Sequence, residues 1–190
     1  MLEIRNLEKS FGNKQVLFGV DLTAQQGHIL GLVGKNGAGK TTIFHSILRF
    51  LDYSGEIRLG GKAITQETYK EIGYLPEERS LMPKLTIFEQ VRYLAALKGM
   101  STAEVKEKLP TWMEKLQVKG KLTDKIKSLS KGNQQKVQLI ITLIHEPKLI
   151  IRNLYQTSEI MEFSLHGLRS LPLFGIGRRN RLFDGFFYRC

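Results

Sequence analysis

The stretch Gly34-Lys35-Asn36-Gly37-Ala38-Gly39-Lys40-Thr41-Thr42 fits G-x-x-x-x-G-K-[ST] without a mismatch. His28-Ile29-Leu30-Gly31-Leu32-Val33 before it reads as a short apolar strand. Ile43, Ile47 and Phe50 after it fall at helical spacing. Strand, glycine loop and helix together predict a phosphate-binding loop in an α/β fold. The residue types follow from the chemistry. Gly34, Gly37 and Gly39 let backbone approach phosphate without a Cβ clash. The loop N–H groups and the helix start favour an anion. Lys40 supplies a full charge for the β- and γ-phosphates, and the Thr41 hydroxyl, with Thr42 beside it, is suited to ligate Mg²⁺.

Composition narrows the setting. The chain has 190 residues, 42% hydrophobic and 25% charged, as expected of an ordinary globular protein. The single cysteine, Cys190, rules out a disulfide framework and a CxxC metal site, which fits a reducing compartment. The start, Met1-Leu2-Glu3-Ile4-Arg5, has no signal-like apolar core, and no run of about 18 apolar residues occurs. The net charge of +11 is carried by lysines spread singly, which argues against a dedicated nucleic-acid patch.

Along the chain, residues 2–33 read as β-rich. Leu2 and Ile4, then Val16, Phe18, Val20 and Leu22, alternate with period two around a turn at Phe11-Gly12-Asn13-Lys14. Phe11 suits either base stacking or core packing. Ile57 and Leu59 mark a strand closed by Gly60-Gly61, and Ile72–Leu75 another, ended by Pro76. From Thr86 to about Leu129 the pattern is helical. Ser101-Thr102-Ala103-Glu104 predicts a capping box, Trp112 is a core candidate, and Pro110 predicts a kink or a new helix start. Leu129–Lys136 is polar and leads into the apolar helix Val137–Ile144, with Ser130 as its natural N-cap. Pro147–Ile151 begins a buried strand.

With the phosphate loop and Leu129–Gln135 both in view, residues 1–151 resemble the ATP-binding subunit of ABC transporters. Gly34–Thr42 corresponds to the Walker A loop. Phe11 lies where the family stacks an aromatic on adenine. Glu77 lies where most members carry the Q-loop glutamine, a departure that still allows it to orient Mg²⁺ or water. Leu129-Ser130-Lys131-Gly132-Asn133 lies at the LSGGQ signature, with Lys131 and Asn133 differing. Tyr74-Leu75-Pro76-Glu77-Glu78-Arg79 together with this signature resembles the bacterial sodium-exporter-like subfamily. The resemblance implies an antiparallel β lobe, a P-loop core and a helical subdomain at about 84–135. It implies ATP and Mg²⁺ as cofactors, bound by Phe11, Gly34, Lys35, Asn36, Gly37, Ala38, Gly39, Lys40, Thr41 and Thr42. Thr41 and Glu77 would serve the metal. It also implies a head-to-tail dimer in which Ser130 and Gly132 face the partner's γ-phosphate. A separate membrane permease would contact the helical subdomain, and the subunit would be cytoplasmic, peripheral at the inner face of the membrane. Tandem ATPases that work on nucleic acid carry two such loops where this chain has one, and a small-molecule kinase would leave Leu129–Gln135 unexplained.

The resemblance stops at Ile151. The family continues its strand into Asp-Glu-Pro, whereas Arg152-Asn153-Leu154-Tyr155 follow here. Asn153 falls at the Mg²⁺-holding aspartate and Leu154 at the water-polarising glutamate, and a leucine cannot act as a base. His166 is too early for the switch histidine, and no histidine follows it. Composition breaks at the same place. Residues 1–151 hold 18 Lys and 5 Arg, and 152–190 hold no Lys and 6 Arg, with five of the ten Phe. Two readings compete for 152–190: a divergent tail that binds a membrane surface or a partner, and out-of-frame translation. Either way the C-terminal part of the core is missing or replaced, and a sheet short of the strands expected after Ile151 predicts a weakly stable product.

Overall fold

The computed structural model describes residues 1–76, 81–153, 160–164 and 186–189. A four-stranded antiparallel sheet forms the first lobe, in the order β2-β1-β4-β5: β1 is Leu2–Phe11, β2 Lys14–Ala24, β4 Ser54–Leu59 and β5 Lys62–Ala63. Two-residue turns join its hairpins. Gly60-Gly61 takes positive φ at both positions (59° and 79°), matching the twist of the strands it joins.

Burial in β1 and β2 departs from simple alternation. Leu2, Ile4 and Leu7 are buried in β1, and Leu17, Leu22 and Ala24 in β2, while Phe18 is 73% exposed. The expected inward Phe18 is therefore corrected. The ladder shifts register between Ile4 and Leu7 and again between Leu7 and Glu8. Each shift reverses which side chains face the core, and inspection of one strand cannot locate it.

The second sheet runs β6-β7-β8-β3-β9, with β3 Ile29–Val33, β6 Ile72–Leu75, β7 Leu149–Asn153, β8 Ile160–Ser164 and β9 Phe186–Arg189. β6 pairs with β7, and β3 with β9, in parallel; β8 is antiparallel to both β7 and β3. Segments beyond Ile151 thus do pair into the core sheet, where the strands expected after that point are replaced rather than simply missing. Only six positions separate Asn153 from Ile160. A parallel return needs a crossover of about a dozen residues, so antiparallel pairing is the arrangement available.

Between β3 and β4 lies α1 (Lys40–Ile47), which buries Ile43, Phe44 and Ile47. It ends three residues before Phe50, expected on the same stripe and here 54% exposed; Arg49 takes φ 55° and turns the chain away. The short α2 (Gln66–Tyr69) follows β5.

A second core belongs to the helices α3 (Ile87–Ala96), α4 (Thr102–Lys115) and α5 (Lys131–Leu143), where Ile87, Val91, Ala95, Val105, Leu109, Met113, Val137 and Ile140 are buried. Trp112 packs against this cluster from its edge. Pro110 lies inside α4, which neither breaks nor restarts there. The carbonyl it deprives of a partner belongs to Lys106 one turn earlier, and both positions are exposed, where water can serve that oxygen. α5 sits on β6 so closely that a Cβ on Gly73 would stand 2.6 Å from the Thr142 carbonyl oxygen. Lys98, after α3, also reaches the first core. Its Nζ donates to the carbonyls of Tyr69 (3.0 Å) and Ile72 (2.9 Å) and lies 3.5 Å from the centre of the Tyr69 ring. Burial lowers its pKa to about 8. Two carbonyls and an aromatic face stabilise the ammonium there without a carboxylate.

Candidate nucleotide site

β3 ends at Val33 and the glycine loop turns directly into α1. Gly37 and Gly39 have φ of 85° and 88°, the left-handed region that glycine enters without steric cost. Gly39 is constrained twice, since a Cβ there would stand 2.7 Å from Leu17 Cδ2. Leu17 of β2 thus packs directly under the loop, with Val16 beside it. No local signal marked either residue, because the contact joins segments more than twenty positions apart.

Gly39 is the N-cap of α1, and no side chain caps that helix. Ala38 donates to the Lys35 carbonyl (3.1 Å) and Ile43 to the Gly39 carbonyl (2.9 Å), which closes the loop onto the helix. The Lys40 amine folds back over the loop and donates to the carbonyls of Gly34 and Lys35. Lys35, Asn36 and Gly37 are exposed, Thr41 is exposed and Thr42 half-buried, so the loop is open to solvent on one side. Open N–H groups, a flexible cation and a hydroxyl at one helix start fit a polyphosphate.

Phe11 closes the β1–β2 hairpin, 47% exposed, with Lys9 Nζ 5.2 Å from its ring centre. It is therefore a surface aromatic, and core packing does not explain it. Ser130 caps α5, its hydroxyl accepting from the Asn133 N–H (3.3 Å). Gly132 is exposed, with open space where a Cβ would be. Among the described residues, no hydrogen bond joins Ser130 or Gly132 to the glycine loop. Glu77, His166 and Leu154 lie outside the described residues.

Sheet register locates Asn153. Leu32 pairs with Met161, and Met161 with Asn153, so Asn153 stands level with Leu32, two strands away at the same carboxyl edge. That separation is about 10 Å at ordinary strand spacing. β6 runs parallel to β7 and ends at this edge too. Ligands of such sheets bind at carboxyl edges, and β7 brings position 153 to that edge. Among the described residues no cluster of three or more His, Cys, Asp or Glu could hold a metal alone. The residues therefore fit the phosphates well, while a metal would depend on Thr41 and the phosphates themselves.

A half-buried titratable group, His145, lies away from this edge. His145 follows α5 beside Lys98, and neither ring nitrogen has a hydrogen-bond partner of full geometry. Burial first, and the Lys98 charge second, lower its pKa to about 4, against a weaker opposing pull from the backbone of Ile72 and Ile141.

Comparison with known proteins agrees with this geometry. The sequence pattern of the ABC transporter family matches residues 17–152. The ABC transporter ATP-binding protein YhaQ of Bacillus subtilis (strain 168) is 43% identical over 152 residues, 80% of this chain and 51% of its own length. The linearmycin resistance ATP-binding protein LnrL of the same organism is 32% identical over 80% of this chain and 50% of its own. The chain thus spans about half the length of these curated relatives. Among solved structures, an ATP-binding subunit of an ABC transporter superposes with a TM-score of 0.70 at 31% identity, covering 80% of this chain and 65% of that one. An ABC transporter ATP-binding protein from Pyrococcus furiosus gives 0.65 at 30% identity, covering 80% and 74%. No helix of the described residues is long and apolar enough to cross a membrane. An α/β core with an uncapped glycine-loop helix, matched by family pattern and by structure, makes this chain a member of the ABC transporter ATP-binding family.

Proposed function

We propose that the chain binds MgATP at Gly34–Thr42 as the nucleotide-binding part of an ABC transporter, serving a separate membrane permease from the cytoplasmic side. The observation that carries this reading is the uncapped start of α1 with the Lys40 amine poised over it. Phosphate oxygens would replace the Gly34 and Lys35 carbonyls as acceptors for Lys40, and the loop N–H groups would hold the β-phosphate. Thr41 would ligate Mg²⁺, and Glu77 would orient the metal or water. Phe11 would stack on adenine. In a head-to-tail dimer, Ser130 and Gly132 would approach the second copy's γ-phosphate. Tyr74–Arg79 and Leu129–Asn133 favour a sodium-exporter-like permease partner, which sodium efflux on co-expression with that permease would check. Lys40→Ala should weaken binding of a fluorescent ATP analogue by about a hundredfold or more; unchanged affinity would sink the assignment.

A second reading has its own observation. Where the family carries a carboxylate pair, this chain has Asn153 and Leu154. We infer that it binds nucleotide without turning it over, and that residues 152–190 are an out-of-frame product attached to an incomplete domain of residues 1–151. The end of the family match at residue 152 supports this, as does the loss of lysine beyond it. Phosphate release by the purified chain that disappears in Lys40→Ala would refute the inactive reading. Translation of the coding DNA in all frames tests the other half. A frame that continues Ile151 into an apolar-Asp-Glu-Pro strand end supports a frameshift, and its absence makes the tail genuine.

A further inference from the structure

The segment that leads from α4 to α5 is bound to the start of α3. Thr86 and Lys125 form an antiparallel bridge, Ile87 and Phe88 donate to the carbonyls of Asp124 and Leu122 (3.0 Å each), and Lys127 donates to the Pro83 carbonyl (3.1 Å). On the other side, Asn133 Oδ1 accepts from the Lys119 N–H (3.1 Å). These bonds gather Lys84, Lys119, Lys121, Lys125, Lys127 and Lys131 at one pole of the helical unit, all exposed. None of the six forms an ion pair among the described residues. The two nearby acids are engaged locally. Glu89 accepts from the Thr86 N–H and hydroxyl (2.9 Å each), and Asp124 accepts from the Lys121 N–H (2.8 Å). Both acids keep their charge, and Glu89 feels the fields of Arg92 and Lys125, but six lysines against these two leave the pole positive among the described residues. Met82, 37% exposed, and Pro83, also exposed, lie within this pole.

We propose that this pole is a docking surface for anionic phospholipid headgroups. The chemistry separates lipid from nucleic acid. No arginine occurs between Arg92 and Arg152, so the cations of residues 119–131 are lysines, which lack the fork that reads base edges or single phosphates. Phe88, the aromatic of these segments, packs against the helical core, so it leaves bases no open stacking platform there. Lysine point charges on flexible stems around an exposed Met-Pro suit a diffuse anionic surface with a shallow apolar boundary. The proposal does not depend on the nucleotide site, and its test uses no nucleotide.

The test is co-sedimentation of the full chain with phosphatidylcholine vesicles, with and without phosphatidylglycerol, across a salt series. Binding should require the anionic lipid and fall steeply with salt. A variant carrying K119Q, K121Q and K127Q should lose more than about tenfold in partitioning. A variant with the same charge loss elsewhere, K14Q, K62Q and K106Q, should lose far less; all six are exposed substitutions, and thermal melts would confirm both folds. Equal loss in the two variants would reduce the effect to net charge and overturn the proposal. So would binding to neutral vesicles, or retention of single-stranded RNA at a salt that releases the vesicles.

Discussion

The starts of α1 and α4 are built on opposite plans. In α4 the Ser101 hydroxyl accepts from the Glu104 N–H (3.2 Å) and the Glu104 carboxylate accepts from the Ser101 N–H (2.7 Å). Thr86 and Glu89 repeat the arrangement at α3, and Ser130 supplies half of it at α5. At α1 the capping position is Gly39, and no side chain serves the helix. The first turn of a helix carries free N–H groups that some acceptor must satisfy. The structural helices satisfy theirs internally, whereas α1 leaves its donors to water or to a ligand. A glycine in place of a capping side chain costs roughly a few tenths of a kcal/mol, and among the described long helices this chain accepts that cost at the one that follows the glycine loop.

The sharpest way to break this contrast is to give α1 the cap it lacks. Gly39→Asp brings a carboxylate to the open donors, at a φ of 88° and with a Cβ that must displace Leu17 Cδ2 from 2.7 Å. It should lower ATP affinity by more than about a hundredfold through repulsion and occupied donors, as read by analogue titration. Emptying the closed plan should do the reverse. Thr86→Ala and Ser101→Ala should each lower unfolding stability by about 1 kcal/mol in urea titrations and leave nucleotide affinity within about twofold. A large affinity loss in either variant would show that the helical unit and the loop are not separable. The smallest effect concerns the seam between them. His145 has a folded-state pKa of about 4, below its ordinary value, so between pH 6.5 and 4 the unfolded chain binds the extra proton. Stability should therefore fall with acidification across that window, by about 1 kcal/mol once partial exposure is discounted. His145→Gln should flatten that slope in denaturation midpoints measured against pH.

How much of this was readable in advance depends on the range of the interaction. The glycine loop and the Ser101 box are local patterns, and both stand where the sequence places them. Thr86-x-x-Glu89 is the same box, and its signal was equally present. Phe18 was misread because a bulge shared with β1 sets its face, and a single strand does not record its partner's register. Leu17 beneath Gly39 and Lys98 across to Tyr69 are tertiary contacts with no periodic trace. Pro110 was read as a kink or a new helix start, yet α4 continues through it, since burial of Val105, Leu109 and Met113 outweighs one missing hydrogen bond on the wet face. The placement of β8 between β7 and β3 follows from topology, which six intervening residues constrain and composition does not.

That placement also sets an order of assembly. Among the described residues, strand β3, which delivers the glycine loop, pairs with β8 and β9 in the sheet. Both are made after residue 159, so on a ribosome the phosphate loop hangs from an unpaired strand until residues 160–189 have emerged. The four-stranded lobe and the helical unit close from nearer neighbours and can form first. Nucleotide competence should therefore arrive only after the four-stranded lobe and the helical unit have formed.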